Sequence, residues 1–293
     1  MGYLFTRLQL YELVWAEPIS TLAKSLVISD VGLAKACRRG DIPLPPRGYW
    51  AKLNAGQRVD RTPLPLRAPG ASDRVEVGVG VGRPRVFRQD VADTSVPDAA
   101  PPEPLVYGET LDAVEARIRL ALPAKFRFVH KLDNAHPLIG RLLREDDARR
   151  EAMAKNRYAW DKPRFESPFE QRRLVFLSNL FTLLAALDVR AWMRGREARE
   201  LGLHIGDQHV ELKIDTLASL RPRKGPPKKA RGEPMAVEVR VARWKHDERE
   251  ERLFWSDGDA NRLENQLREI AVALVLTAER QYRKALQFSY DWA

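Results

Sequence analysis

The stretch Ile19-Ser-Thr-Leu-Ala-Lys-Ser-Leu-Val-Ile-Ser-Asp-Val-Gly-Leu-Ala-Lys-Ala-Cys-Arg38 decides how the first part of the chain folds. It fits two short helices crossing over a tight turn. A steep crossing needs a small residue where the second helix passes the first, and Ala23 stands there. Leu22, Leu26, Ile28, Leu33 and Ala36 fall at the offsets that line the two inner faces. Ser29 or Asp30 supplies an oxygen to cap the second helix. Val27 occupies the turn position where glycine is usual, because a residue with φ > 0 prefers to be Gly or Asn. The spacing predicts a helix-turn-helix.

The outward face of the second helix tests what such a unit does. Its exposed positions are predicted to be Ser29, Asp30, Val31, Ala34, Lys35, Arg38 and Arg39. Small residues near the helix start let the backbone approach a groove. Lys35 and Arg38 can donate to guanine edges or to phosphates. An ordinary helical hairpin with a solvated basic face carries the same residues. The charge balance favours DNA: residues 1–67 hold ten Lys/Arg against five Asp/Glu, a net +5.

The segment Asp41-Ile-Pro-Leu-Pro-Pro-Arg-Gly-Tyr-Trp-Ala-Lys52 follows. Pro43, Pro45 and Pro46 force an extended path. Arg47 and Lys52 are read as contacts to the DNA backbone, or as an arm entering a narrow minor groove. Tyr49 and Trp50 are read as closing a small three-helix core.

Several of these strings together resemble the N-terminus of a family of bacterial proteins often found in mobile-element or defence neighbourhoods. They are Tyr11-Glu-Leu-Val-Trp15, Leu22-Ala-Lys24, Ile28-Ser-Asp30, Leu33-Ala-Lys35 and Ile42-Pro-Leu-Pro-Pro-Arg-Gly-Tyr-Trp-Ala-Lys52. His136-Pro-Leu-Ile139, Trp255-Ser-Asp257 and Arg262-Leu-Glu-Asn-Gln-Leu267 are similar to the same family further on. The resemblance implies a helix-turn-helix DNA-binding head on a C-terminal domain.

Beyond the head, the composition changes. Residues 68–104 contain six Pro and four Gly in 37 positions, a share that marks a linker. Val75-Glu76-Val77 within it could make a short strand. From Leu105 onward the periods become helical: Leu111, Val114, Ile118 and Leu122, then a helix from Pro137, then one from Glu170 to Leu187. Val210, Leu212 and Ile214, and later Val237, Val239 and Val241, alternate with polar residues as antiparallel strands do. Leu263, Leu267, Ile270, Leu274 and Ala278 mark a long closing helix, with Asp259 as its expected cap. The predicted class is α+β: a helix-turn-helix head at 1–67, a linker at 68–104, and a helical and antiparallel-sheet domain at 105–293.

At 293 residues the chain suits one or two domains of about 150 residues each. Its single cysteine, Cys37, excludes an intrachain disulfide and a Cys-rich zinc site. The most apolar run, Leu174 to Val189, is interrupted by Ser178, Asn179 and Thr182 and is shorter than the roughly 20 residues a bilayer needs. With no export signal at the start, the expectation is a cytoplasmic, nucleoid-associated protein with no membrane partner. A formal net charge of +10 favours an anionic partner.

Chemistry-bearing motifs are sparse. No phosphate loop of Walker spacing and no nucleophile elbow occurs. Asp207, Glu211 and Lys213 form D-x3-E-x-K, the residue types with which some nucleases hold Mg²⁺. An alternating polar strand face also produces them. The loop Arg221–Arg231 carries six cations, namely Arg221, Arg223, Lys224, Lys228, Lys229 and Arg231, and no acid. It reads either as a solubilising loop or as a second phosphate-contacting arm. The expected function is sequence-specific binding of double-stranded DNA, as a regulator or DNA-recognition component and as a homodimer, with no cofactor. A Mg²⁺-dependent nuclease and a protein-binding adaptor are the alternatives. The C-terminal domain would mediate dimerisation or bind a protein partner.

Overall fold

Thr6 ends the first strand and opens the first helix, so the head begins with its two element types joined. The computed structural model describes residues 2–78, 85–86, 107–156, 160–221, 233–240, 252–258 and 261–291. The chain divides into one unit of Met1–Pro104 and another of Leu105–Ala293. Both combine helices with sheet, and the class is α+β.

In the first unit, β1 (Tyr3–Thr6) leads into α1 (Arg7–Ala16). Thr6 Oγ1 accepts the Gln9 N–H at 3.1 Å, and the Thr6 N–H donates to Gln9 Oε1 at 2.9 Å. This reciprocal pair satisfies two N–H groups at the start of the helix. Then come α2 (Ile19–Ser25), α3 (Asp30–Arg39), α4 (Tyr49–Asn54), β2 (Arg74–Val77) and β3 (Arg85–Val86). The strands form a sheet in the order β2-β1-β3, with β1 antiparallel to β2 and parallel to β3.

Val14, Trp15, Leu22, Ala23, Leu26 and Leu33 are buried as the period requires, together with Phe5, Cys37, Ile42 and Tyr49. The head does not end at residue 67, nor is it built of three helices alone. β2 falls inside the stretch expected to be linker, and Val75 and Val77 lie in the head's core. The reason is long-range pairing: a four-residue strand with a weak period of two finds its partner at the other end of the unit. Arg7 is buried and ties this arrangement together. Its guanidinium donates to the carbonyls of Gly40 at 2.6 Å, Asp41 at 3.0 Å and Pro65 at 3.1 Å.

The second unit opens with α5 (Leu111–Ala121), α6 (Pro137–Lys155) and α7 (Pro168–Ala185). A proline occupies the first turn of α6 and of α7, where its missing N–H costs nothing. Ser167 caps α7 through the Glu170 N–H at 3.2 Å. Next are β4 (Arg190–Arg194), β5 (Glu200–Ile205), β6 (Gln208–Thr216), α8 (Leu217–Leu220), β7 (Met235–Arg240), β8 (Arg252–Ser256) and α9 (Leu263–Asp291). The strands form one antiparallel sheet in chain order. Val210, Leu212 and Ile214 of β6 turn to the side packed by α9, and α7 packs against α9 and β4. Leu263, Leu267, Ile270, Leu274 and Ala278 are all buried.

Asp257 meets the start of α9; Asp259, the expected cap, lies outside the described residues. The Asp257 carboxylate accepts N–H groups from Leu263 at 3.1 Å and Met235 at 2.8 Å. It is also gripped by Arg172 at 2.6 and 2.9 Å. Burial alone would push this carboxyl up, but Arg172 and the two N–H groups outweigh it and hold the group below its ordinary range. Among the described residues no helix is long and apolar enough to cross a membrane.

Candidate functional site

The turn between α2 and α3 has the backbone that the spacing called for. Val27 takes φ 54°, the left-handed conformation, although it is a β-branched residue. The Ile28 N–H reaches back to the Ala23 carbonyl at 2.9 Å, which draws the chain across the buried Ala23.

α3 has two clean faces. Leu33, Ala36 and Cys37 are buried. At 100° per residue, Val31, Lys35 and Arg38 fall on one stripe opposite that buried face. All three are exposed, with Ala34 half-buried at the stripe's edge. Burial pushes the Cys37 thiol up to about 11, so it stays protonated on the inner side.

The remaining predicted contacts of α3 have other partners. Ser29 is the N-cap, its Oγ accepting the Gly32 N–H at 3.1 Å. Asp30 Oδ1 accepts the Val31 N–H at 2.8 Å. Both oxygens thus serve the helix's own first turn. Arg39 Nη2 donates to the Glu76 carbonyl at 2.7 Å, which fastens the end of α3 to β2. Arg38 borders a cleft of about 330 Å³ with Asp41, Pro43, Thr62 and Pro65.

The proline segment is held against the body rather than free. Ile42 is buried, and Trp15 Nε1 donates to the Pro43 carbonyl at 2.9 Å. Gly48, at φ 84°, then turns the chain into α4. Tyr49 is buried with its ring edge-on to Trp15 at 5.1 Å, and Trp50 stands edge-on to Tyr49 at 5.1 Å. Such aromatic pairs contribute about 0.5–1.5 kcal/mol beyond their buried area. Arg47 and Lys52 flank this anchor and are exposed.

Among the described residues, the side chains of Lys24, Lys35, Arg38, Arg47, Lys52 and Arg58 in the first unit are exposed and make no ion pair or hydrogen bond. Lys24 and Arg58 were not singled out from the sequence, although Lys24 stands within the helix-turn-helix string itself. In the second unit Arg127, Arg144, Arg190, Arg196 and Arg262 are likewise exposed and without an ion pair among the described residues, while other arginines are paired. Arg119 pairs with Glu115 and Glu269, Arg149 with Asp146 and Asp161, and Arg150 with Asp147 and Glu166. Arg172 pairs with Asp257 and Glu264, and Arg283 with Glu279.

On the sheet face of the second unit turned away from α9, a cavity of about 480 Å³ is lined by Trp192, Arg199, Glu211, Lys213, Asp215 and Arg240, among others. Trp192 lies flat over Gly202, where a Cβ would come within 2.3 Å of the indole. The Arg194 guanidinium covers the indole at 4.9 Å. Of the nuclease-like trio, Glu211 and Lys213 face this cavity, while Asp207 sits in the β5–β6 turn and does not line it. Among the described residues no group of three or more His, Cys, Asp and Glu side chains is placed to hold a metal ion.

Arg221 ends α8 with its guanidinium 3.7 Å from the centre of the Phe254 ring. The other basic-loop residues, Arg223, Lys224, Lys228, Lys229 and Arg231, lie outside the described residues. Comparison of the chain with family profiles, curated proteins and solved structures returns no match.

Proposed function

We propose that the first unit binds double-stranded DNA, with the Val31–Lys35–Arg38 stripe of α3 in the major groove and Arg47, Lys52 and Arg58 against the phosphate backbone. The observation that carries this reading is the set of unpaired cations. A lysine or arginine with a neighbouring carboxylate gives up its pairing to bind phosphate, whereas these six give up only water and counterions. A basic helix face opposite a buried one, preceded by a tight turn, is the shape that fits the groove. The reading agrees with what the resemblance of the N-terminal signature implies. In it, the second unit pairs two copies of the chain on a two-part site, since one short helix alone reads few base pairs.

A competition titration against specific and random duplex tests it. Arg47→Ser, Lys52→Ser and Arg58→Ser together should weaken binding to every sequence alike. The slope of log affinity against log salt should become shallower by about 0.9 for each phosphate contact removed. Lys35→Ala with Arg38→Ala should instead erase the preference for the specific site. Unchanged slope in the first variant and unchanged preference in the second would overturn the reading.

A further inference from the structure

One exposed point of the α3 stripe is apolar. Val31 stands in the first turn of the helix, opposite Leu33, Ala36 and Cys37, and is 59% exposed. A lone exposed valine on a protein surface calls for no explanation. This one stands at the tip of the face that the proposed function puts in the groove, and its surroundings narrow what it can do. Ser29 Oγ and Asp30 Oδ1 accept the helix's own N–H groups, which leaves one Asp30 carboxylate oxygen as an acceptor and no polar donor side chain committed to the groove in the first turn. Gly32 and Ala34 beside it are small and allow close approach of the backbone. The next residues along the stripe, Lys35 and Arg38, carry the hydrogen-bond donors.

These residue types match one feature of the major groove and miss another. Asparagine and glutamine make the paired contact to adenine, and α3 contains neither. Lysine and arginine suit guanine. An A·T pair then offers this helix one distinctive group, the C5-methyl of thymine, which apolar side chains contact. We infer that Val31 is a specificity-determining residue that packs on the C5-methyl of a pyrimidine at the edge of the recognised sequence. The same methyl is presented by thymine and by 5-methylcytosine. The inference rests on the DNA-binding reading above and names what that site recognises.

The test uses the full chain and a duplex selected from a random library. Each thymine of the selected site is replaced in turn by deoxyuridine, which removes only the methyl. Each cytosine is replaced in turn by 5-methylcytosine, which adds it. At one thymine of each half-site the loss should be about fourfold, the worth of one buried methyl. If 5-methylcytosine is the source, the gain should appear at one cytosine instead. Val31→Ala should bind the methylated and unmethylated duplexes equally. Alanine at an exposed helical position does not disturb the fold, so a loss of discrimination reads the missing side chain. Discrimination that survives Val31→Ala, or indifference to the methyl at every position, would overturn the inference while leaving DNA binding intact. Failure to retain any duplex would overturn the DNA reading, and this inference with it.

Discussion

Val27→Asn should make the helix-turn-helix more stable. Val27 holds φ 54° at the turn, and its side chain is 82% exposed. A left-handed conformation costs an ordinary L-residue about 1–2 kcal/mol, and a β-branched side chain is among the worst placed to bear it. Asparagine enters this region far more readily. Because the valine buries little, its removal forfeits almost no apolar contact. The expected gain is therefore about 1 kcal/mol. Val27→Gly should gain about half as much, since glycine returns about 0.5–1 kcal/mol of freedom to the unfolded chain. Native-state amide hydrogen exchange of the full chain reads this locally. The Ile28 N–H, bonded to Ala23, and the Leu33 N–H, bonded to Ser29, bracket the turn. Protection of α3 amides should rise about fivefold in the asparagine variant and less in the glycine variant. Equal protection in all three proteins, or a valine turn more protected than either variant, would refute the claim that this backbone is strained.

Two further outcomes concern the second unit. Gly202→Ala should lower its melting temperature by an amount equivalent to about 1–3 kcal/mol and move the tryptophan fluorescence, because the new methyl occupies the volume of the Trp192 indole; an unaltered melt would show that the indole is free to leave. His136 caps α6 by accepting the Leu138 N–H at 3.4 Å and packs edge-on against Phe181 at 5.5 Å. Burial lowers its pKa below the ordinary 6.5, so the unfolded chain takes up the proton first. Its contribution is complete above about pH 6.5 and is lost as pH falls toward the folded value. His136→Asn should keep the cap acceptor and flatten the decline in stability between about pH 7 and 5. His204, shifted in the same direction by burial and then by His209, Arg190 and Arg194, leaves a residual slope. A decline equally steep in both proteins would remove His136 as its source.

The elements legible in the sequence are those whose signal is local. α6 starts at the Pro137 that marks it, and α9 follows its apolar period through Leu263 and Ala278. The turn at Val27 was legible from the offsets around it even though the residue itself argued against it. β1 and β2 were not legible as a pair, since four residues hold barely two periods and their pairing joins the two ends of the unit. β4 and β5 hid for another reason. Arg190, Trp192 and Arg194 alternate with Ala191 and Met193, a pattern in which a large indole stands on the nominally polar side. Only the bare backbone of Gly202 opposite it makes room for that ring.

The candidate site was legible as a face and not as a set of contacts. Helical period alone separates Val31, Lys35 and Arg38 from Leu33, Ala36 and Cys37, because both sets lie within ten residues of one helix. Period cannot say which polar groups are already bonded. Ser29 and Asp30 are bonded within their own turn, and Arg39 is bonded to a carbonyl of a strand that local patterns did not reveal as its neighbour. The same gap limits what net charge can say. A count of lysines and arginines weighs Arg172, gripped by two carboxylates, the same as Arg47, which is exposed and has no ion pair among the described residues. What a polyanion meets is the unpaired remainder, and that remainder is set by tertiary pairing. Among the described residues of the first unit it includes Lys35 and Arg38 of the α3 stripe, Lys24 at the end of α2, and Arg47, Lys52 and Arg58. Removing those charges should cost affinity while leaving the fold unharmed, whereas removing Arg172 should do the reverse.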